Sequence, residues 1–345
     1  MEVIDLKETL GRHFMPLKLG PTARDTLQEF IDIDVSADDL VRILNRNQAY
    51  RDLFSRFVNK KTGKQPKEGE AEKEGSPTHR LIALLGMIGS RNLILSLRMH
   101  RNAEGKFPID AEGNVDLKAA EYLNRAMEIE ESFVRNKLEY SETAFAAASY
   151  YDWFLRTQAK HPTFKKQEPY LQEIWKRGQR AGLIAYLLAQ KVVGSTPKFA
   201  IAAGMLSQVG RLHMALRFGA DYSDFETKID AQKLNHVARL LQERDRFGLA
   251  HEEMASYSLF FYDVFQELEP CIRFYREPYC LKGGDHGQYT MALVLSLADS
   301  MARSWKIPVD EKDPTLAEWA APWTKELRLR PQALIECMRL AMNIK

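Results

Sequence analysis

Gly204-Met205-Leu206-Ser207-Gln208-Val209-Gly210-Arg211-Leu212 lies just past the middle of the chain and decides how it is read. Apolar residues lead into it at helical spacing. Two glycines then bracket a Ser-Gln pair, and a second apolar segment follows. That is the pattern of one helix turning into another, with two short polar side chains at the corner. A corner of this kind is where a helical protein places ligands for a metal ion. Serine and glutamine, however, are neutral and weak oxygen donors.

Working outward, nearly every periodic segment predicts helix. Leu81, Leu84, Leu85 and Ile88 repeat at helical spacing, as do Leu183, Ile184, Leu187 and Leu188. Tyr257 to Phe265 and Met291 to Ala302 are long apolar-rich helical patterns. Ser36-Ala37-Asp38-Asp39 and Thr315-Leu316-Ala317-Glu318 have the form of helix-starting capping boxes. No Asn-Gly or Asp-Gly turn joins two alternating strands, so the expected fold class is all-α. Interruptions are expected at the polar segment 59–75, at the Gly- and Pro-bearing segment 101–113, and at Pro162 and Pro169, which should break helical continuity.

The 345 residues carry 49 Lys+Arg against 47 Asp+Glu, a net charge of +2, so no strong field draws the chain to nucleic acid or a membrane surface. No apolar run reaches the length that spans a bilayer, and the acidic N-terminal stretch is not that of a secretory signal. Cys271, Cys280 and Cys337 are odd in number and lack C-x-x-C spacing, which predicts free thiols in a reducing cytoplasm.

Several stretches, in order, resemble the HDOD family, the non-catalytic relatives of HD-type metal-dependent phosphohydrolases in bacterial signalling. Met15-Pro16-Leu17, the helix Asp39 to Asn47, Phe57-Val58-Asn59 and Leu81 to Gly86 are similar to elements of its first half. Gly204 to Leu212 resembles its G-L-L-H-D-I-G-x-L turn, and Phe247 to Ala255 its F-G-x-D-H-A-E-V-G helix start. Ile272 to Pro278 resembles I-x-x-H-H-x-P, and Leu297 to Ala302 the closing L-A-D-x-x-A helix. The resemblance implies an N-terminal helical half (1–102), a family-atypical helical insertion (103–170), a degenerate HD-like helical half (171–305) and a C-terminal helical extension (306–345).

Carried over residue by residue, the HD ligand positions fall at Arg177, Ser207, Gln208 and Asp299. Arginine has no lone pair to give and repels a cation. One carboxylate does not hold a transition metal against water. The resemblance therefore implies no catalysis, no metal and no cofactor, and an expected bidentate ion pair between Arg177 and Asp299 in the metal's place. It further implies a cytoplasmic adaptor or regulator working through a protein partner, with no membrane and no nucleic acid involved.

An alternative groups Arg177, His251 and Arg276 as a site for a phosphorylated nucleotide or another anion; an active phosphohydrolase ranks last. His251, near a helix start, is expected to be a structural hydrogen-bonder, and Gly283 to Gly287 a plain loop. Tyr150, Tyr151, Trp153 and Phe154 place four large rings in five positions. They are a candidate partner surface as well as a candidate core segment. Trp319 and Trp323, four apart, are expected to dock on the core.

Overall fold

The computed structural model describes residues 83, 147, 162–192, 195, 197–232, 234–262, 265–303 and 314–342. The chain divides into two compact units, and the helices below belong to the one comprising Met1–Leu19 and Glu139–Lys345. The N-terminal motifs up to residue 100, the aromatic run 150–154 and the boundaries at 102 and 305 lie outside the described residues, Ala83 and its helical backbone excepted.

Among the described residues every regular element is helical, as the apolar periodicity requires: α1 Pro162–Ala189, α2 Pro197–Leu206, α3 Val209–Phe218, α4 Ala220–Ala231, α5 His236–Phe247, α6 His251–Tyr262, α7 Glu269–Phe274, a 3-10 turn Pro278–Leu281, α8 His286–Arg303, α9 Pro314–Leu327 and α10 Pro331–Met342. The 28-residue α1 forms the spine and packs against α2, α3, α8 and α10. It runs unbroken across position 170 and contains Pro169. The expected break there is corrected: the missing N–H deprives only the carbonyl of Lys165, an exposed residue whose carbonyl water can serve.

The core is where α1, α2, α3, α6 and α8 meet. Ala200 to Leu206 of α2 and Thr290 to Asp299 of α8 are buried without interruption, so both helices are enclosed on all sides. Glycines set how closely they approach. A Cβ on Gly204 would lie 2.4 Å from Cα of Gly182, and one on Gly182 would lie 2.7 Å from the carbonyl oxygen of Ile201. The backbones of α1 and α2 therefore touch. A Cβ on Gly210 would lie 1.7 Å from the carbonyl oxygen of His251, so α3 begins directly against the first residue of α6.

Further out, Phe247 is the hub of an aromatic cluster with Phe218, Tyr222 and Phe225, at centroid distances of 4.7, 5.5 and 5.1 Å, which pins α4 to α5. Asn235 caps α5 by accepting from the Ala238 N–H. Gly248 closes α5 in the left-handed conformation at φ 77°.

The pattern from Tyr257 to Phe265 belongs to a helix that starts earlier, at His251, and stops at Tyr262; Phe265 stands outside it at φ 54°. Its ring is buried, and burying the ring fixes a backbone conformation that costs a bulky residue free energy. The Gly283 to Gly287 stretch is a loop only to Asp285, whose side chain caps α8 by accepting from the Gln288 N–H at 2.8 Å. Trp323 of α9 docks as expected: its indole N–H donates to Ser296 Oγ at 3.0 Å. The side chain of Trp319 lies outside the described residues.

The glycine contact yields a prediction. Gly204→Ala forces two helix backbones apart and should cost about 3 kcal/mol, the upper part of the usual overpacking range. Gly283→Ala, where nothing lies within 4 Å and only a positive φ is strained, should cost about 1 kcal/mol. Urea unfolding of both variants compares them, and equal losses would contradict the close packing of α1 on α2.

Candidate functional site

The backbone contact between α1 and α2 delivers Arg177 to the α2–α3 turn. Gly178, its neighbour, sits over that turn, where a Cβ would be 3.5 Å from Cγ of Gln208. Ser207 turns its hydroxyl back to the Gly204 carbonyl at 2.7 Å. Gln208 is fully buried. Its amide N–H donates to Asp299 Oδ1 at 3.1 Å and to Ser207 Oγ at 2.9 Å, while its carbonyl accepts from Arg211 Nη1 at 2.6 Å. Arg177, Ser207, Gln208 and Asp299 thus lie together.

The expected bidentate pair between Arg177 and Asp299 is not formed. Arg177 Nε lies 3.6 Å from Asp299 Oδ1, an ion pair without a hydrogen bond. Its Nη1 instead donates to Glu226 Oε2 of α4 at 3.4 Å. The physical reason is competition. Arg303, one helical turn along α8, donates to Asp299 Oδ2 from Nε at 3.1 Å and from Nη2 at 2.6 Å. Arg211 inserts from α3, donating to Glu226 at 3.1 Å and lying 3.8 Å from Asp299 Oδ1. Three guanidinium groups therefore share two buried carboxylates.

Burial by itself would raise the Asp299 carboxyl, but Arg303, Arg211 and Arg177 outweigh it and hold the group well below the usual carboxylate range. Glu226 is lowered in the same way: burial opposes, and Arg211 and Arg177 prevail. Arg177 itself is pulled down to about 10, first by burial and then by the charges of Arg211 and Arg303.

The HDOD domain family model matches residues 154–272, a span that takes in α1 to α6, the turn at Ser207-Gln208 and most of α7. That stretch of the chain is similar to the HDOD domain. Among solved structures it is similar to a provisionally named phosphohydrolase from Shewanella amazonensis SB2B, at 15% identity over 99% of this chain and 98% of that one, TM-score 0.48. It is also similar to an HDOD domain protein of unknown function from Geobacter sulfurreducens, at 14% identity over 99% and 97%, TM-score 0.45. A third similar structure is the MmoQ response regulator of Methylococcus capsulatus str. Bath, at 17% identity over 92% and 95%, TM-score 0.36. No curated protein matches the chain.

The residues at the HD-type positions do not fit a divalent metal. Ser207 donates its proton to a carbonyl, the Gln208 carbonyl is occupied by Arg211, and three guanidinium groups lie within 4 Å of Asp299. A second set of donors, Glu243, His251 and Glu252, is buried and gathered within 4.8 Å. There the guanidinium of Arg276 takes the cation's place, with Nη1 2.9 Å from Glu243 Oε2 and Nη2 2.9 Å from His251 Nδ1.

This also divides the expected anion site. Arg276 and His251 belong with Glu243, whereas Arg177 belongs with Glu226 and Asp299. Each guanidinium already faces carboxylates. His251 is the structural hydrogen-bonder expected: Nδ1 faces Glu243 and Nε2 faces the Tyr275 hydroxyl at 2.7 Å. Burial first, then Arg211 and Arg276, keep its ring neutral.

Arg211, Glu226, Glu243 and Arg303 escaped the sequence reading. Arg303 had a signal, its i+4 spacing from Asp299. Arg211 had a weaker one, a charge set among the apolar residues Val209, Leu212 and Met214.

Asp299→Asn removes a charge that three arginines share and should cost roughly 3–5 kcal/mol in urea unfolding, more than an exposed pair would. A loss below about 1 kcal/mol, the size of a surface pair, would contradict the shared burial.

Acid should act on the histidines. Burial keeps His213 and His236 neutral, with both pushed down to about 3 from 6.5. A lowered folded-state value makes this contribution complete above 6.5 and lost progressively as pH falls toward 3. Unfolding free energy should therefore decline through that window, with proton uptake measurable on unfolding. A flat profile would contradict neutral burial.

Proposed function

We propose that this chain is a non-enzymatic regulator of a bacterial signalling pathway that works by presenting its HDOD domain to a protein partner. One observation carries the reading: at the HD-type positions Ser207 Oγ accepts from the Gln208 amide, the Gln208 carbonyl accepts from Arg211, and guanidinium groups face Asp299 where a cation would have to sit. Such a centre has nothing to lower the pKa of a water and nothing to polarise a phosphoryl oxygen. What the reading leaves to such a domain is recognition, and a surface ordered before binding recognises a partner at low entropic cost.

A cytoplasmic setting is part of the proposal. Its support is three free thiols, two of them buried, with Cys271 and Cys337 both pushed by burial up to about 12 and so unreactive. Among the described residues no helix is long and apolar enough to cross a membrane. The candidate contact face is the run Tyr150, Tyr151, Trp153 and Phe154, whose amphipathic rings are of the kind that anchor protein interfaces.

Three measurements test this. Thermal unfolding with manganese, iron, nickel or zinc should not move, whereas an ion held at about 100 times its Kd would add about 2.7 kcal/mol. Hydrolysis of phosphomonoesters and cyclic nucleotides should stay at the uncatalysed rate with any of these metals. Affinity capture from the native host should return a specific protein that a Tyr151→Ala/Trp153→Ala variant, still folded, no longer holds. Stoichiometric metal with turnover overturns the reading.

A further inference from the structure

Glu252, the second residue of α6, is fully buried, yet its carboxylate oxygens receive no hydrogen bond from any other residue. The donors around it are engaged by Glu243. That carboxylate accepts from the Tyr222 hydroxyl at 2.8 Å, the His251 backbone N–H at 3.2 Å and Arg276 Nη1 at 2.9 Å. Arg276 Nη1 lies 3.7 Å from Glu252 Oε2, and His251 Nδ1 lies 3.5 Å from it. Two carboxylates thus compete for one guanidinium, and Glu243 has it.

An ionised carboxylate taken out of water costs several kcal/mol unless donors surround it. Without donors, the group lowers that cost by taking up a proton.

We propose that Glu252 holds a proton in the packed domain and that losing it draws Arg276 away from Glu243, so that the junction of α5, α6 and the segment after α7 acts as a proton-operated switch. Glu243 is the point of leverage, because it joins Tyr222 of α4, the start of α6 and Arg276 in one set of hydrogen bonds. Once it carries charge, Glu252, 3.7 Å from Arg276 Nη1, competes with Glu243 for that guanidinium, and the pull acts on all three partners together.

The groups that face Glu252 are Arg244 and Glu243 of α5, His251 and Glu253 of α6, and Tyr275 and Arg276 after α7. Arg211 of α3, Glu226 of α4 and Asp299 of α8 act on the adjacent His251. Burial is the main cause of the shift, and Glu243 adds to it while Arg276 opposes. Together they carry the Glu252 carboxyl up to about 7. The folded-state value is raised, so the stabilising contribution of the proton is complete below 4.5 and fades as pH rises to about 7. The buried histidines act in the opposite sense, but only below 6.5. Among the described buried groups, Glu252 is the one that responds above that.

The test compares full-length wild type with Glu252→Gln, which keeps the shape and stays neutral. Urea unfolding between about pH 5 and about pH 8.5 should show the variant gaining on the wild type as pH rises, the gap levelling off above about pH 8. In wild-type protein the carboxyl carbon-13 resonance of Glu252 should titrate near neutrality, and the Arg276 guanidinium nitrogen resonances should move with the same midpoint. A pH-independent gap, a carboxyl titrating at an ordinary glutamate value of about 4.3, or an Arg276 signal that stays still would each overturn the proposal. Should the glutamine variant fail to fold, the two wild-type titrations decide the matter alone.

Discussion

Three guanidinium groups, from Arg177, Arg211 and Arg303, converge on the carboxylates of Glu226 and Asp299, and the described helices are arranged around that meeting. The five side chains come from α1, α3, α4 and α8, and Gln208 links them to the α2–α3 turn. Burying such charges is costly, and attraction in a low-dielectric interior repays the cost only when the charges are well opposed. Donors outnumber acceptors here: Arg177 Nε and Nη2, Arg211 Nη2 and Arg303 Nη1 are buried without a hydrogen bond. The cluster is thus a constraint on register more than a source of stability. Any slip of α1 against α8 would separate Arg177 from Asp299 and take one of three opposing charges from that carboxylate.

A second polar centre beside it follows the same logic with a different outcome. Arg276 opposes Glu243 closely and Glu252 loosely. Charge balance is therefore nearly met at the first centre by arginine, and at the second by arginine together with a proton. His251 stands between the two, feels charges from both, and stays neutral because it is buried. A neutral imidazole can bridge Glu243 and Tyr275 without adding another charge to a crowded interior.

How much of this the sequence discloses depends on range. Helices are legible because their period is local, and α8 appears almost whole in the run from Met291 to Ala302. The convergence of Arg177, Ser207, Gln208 and Asp299 was legible only through resemblance, since 122 positions in sequence (299 − 177) separate the first from the last. The partners that decide the geometry were not legible. Nothing in Asp221-Tyr222-Ser223-Asp224-Phe225-Glu226 marks the last residue as the one carboxylate buried against Arg211 and Arg177. Glu243 likewise sits in a charged helix, with its burial decided by the rotation of α5 on the aromatic cluster. Pro169 misled because the rule against helix-interior proline takes no account of a carbonyl left to water on an exposed turn.

The turn at Gly204 to Leu212 looks like an HD-type corner for a reason that has little to do with metal. Its glycines answer to backbone contacts: Gly204 against Gly182, and Gly210 against the first residue of α6. No side chain can replace either without moving a helix, whatever stands at positions 207 and 208. The residues between them are under a weaker demand, which is to fill a dry corner with their polar atoms satisfied. Histidine and aspartate meet that demand with a cation present, whereas serine and glutamine meet it with a carbonyl, a carboxylate and an arginine. A motif of this kind therefore reports how the helices pack before it reports what they do, and the chemistry has to be read from the side chains that face Asp299.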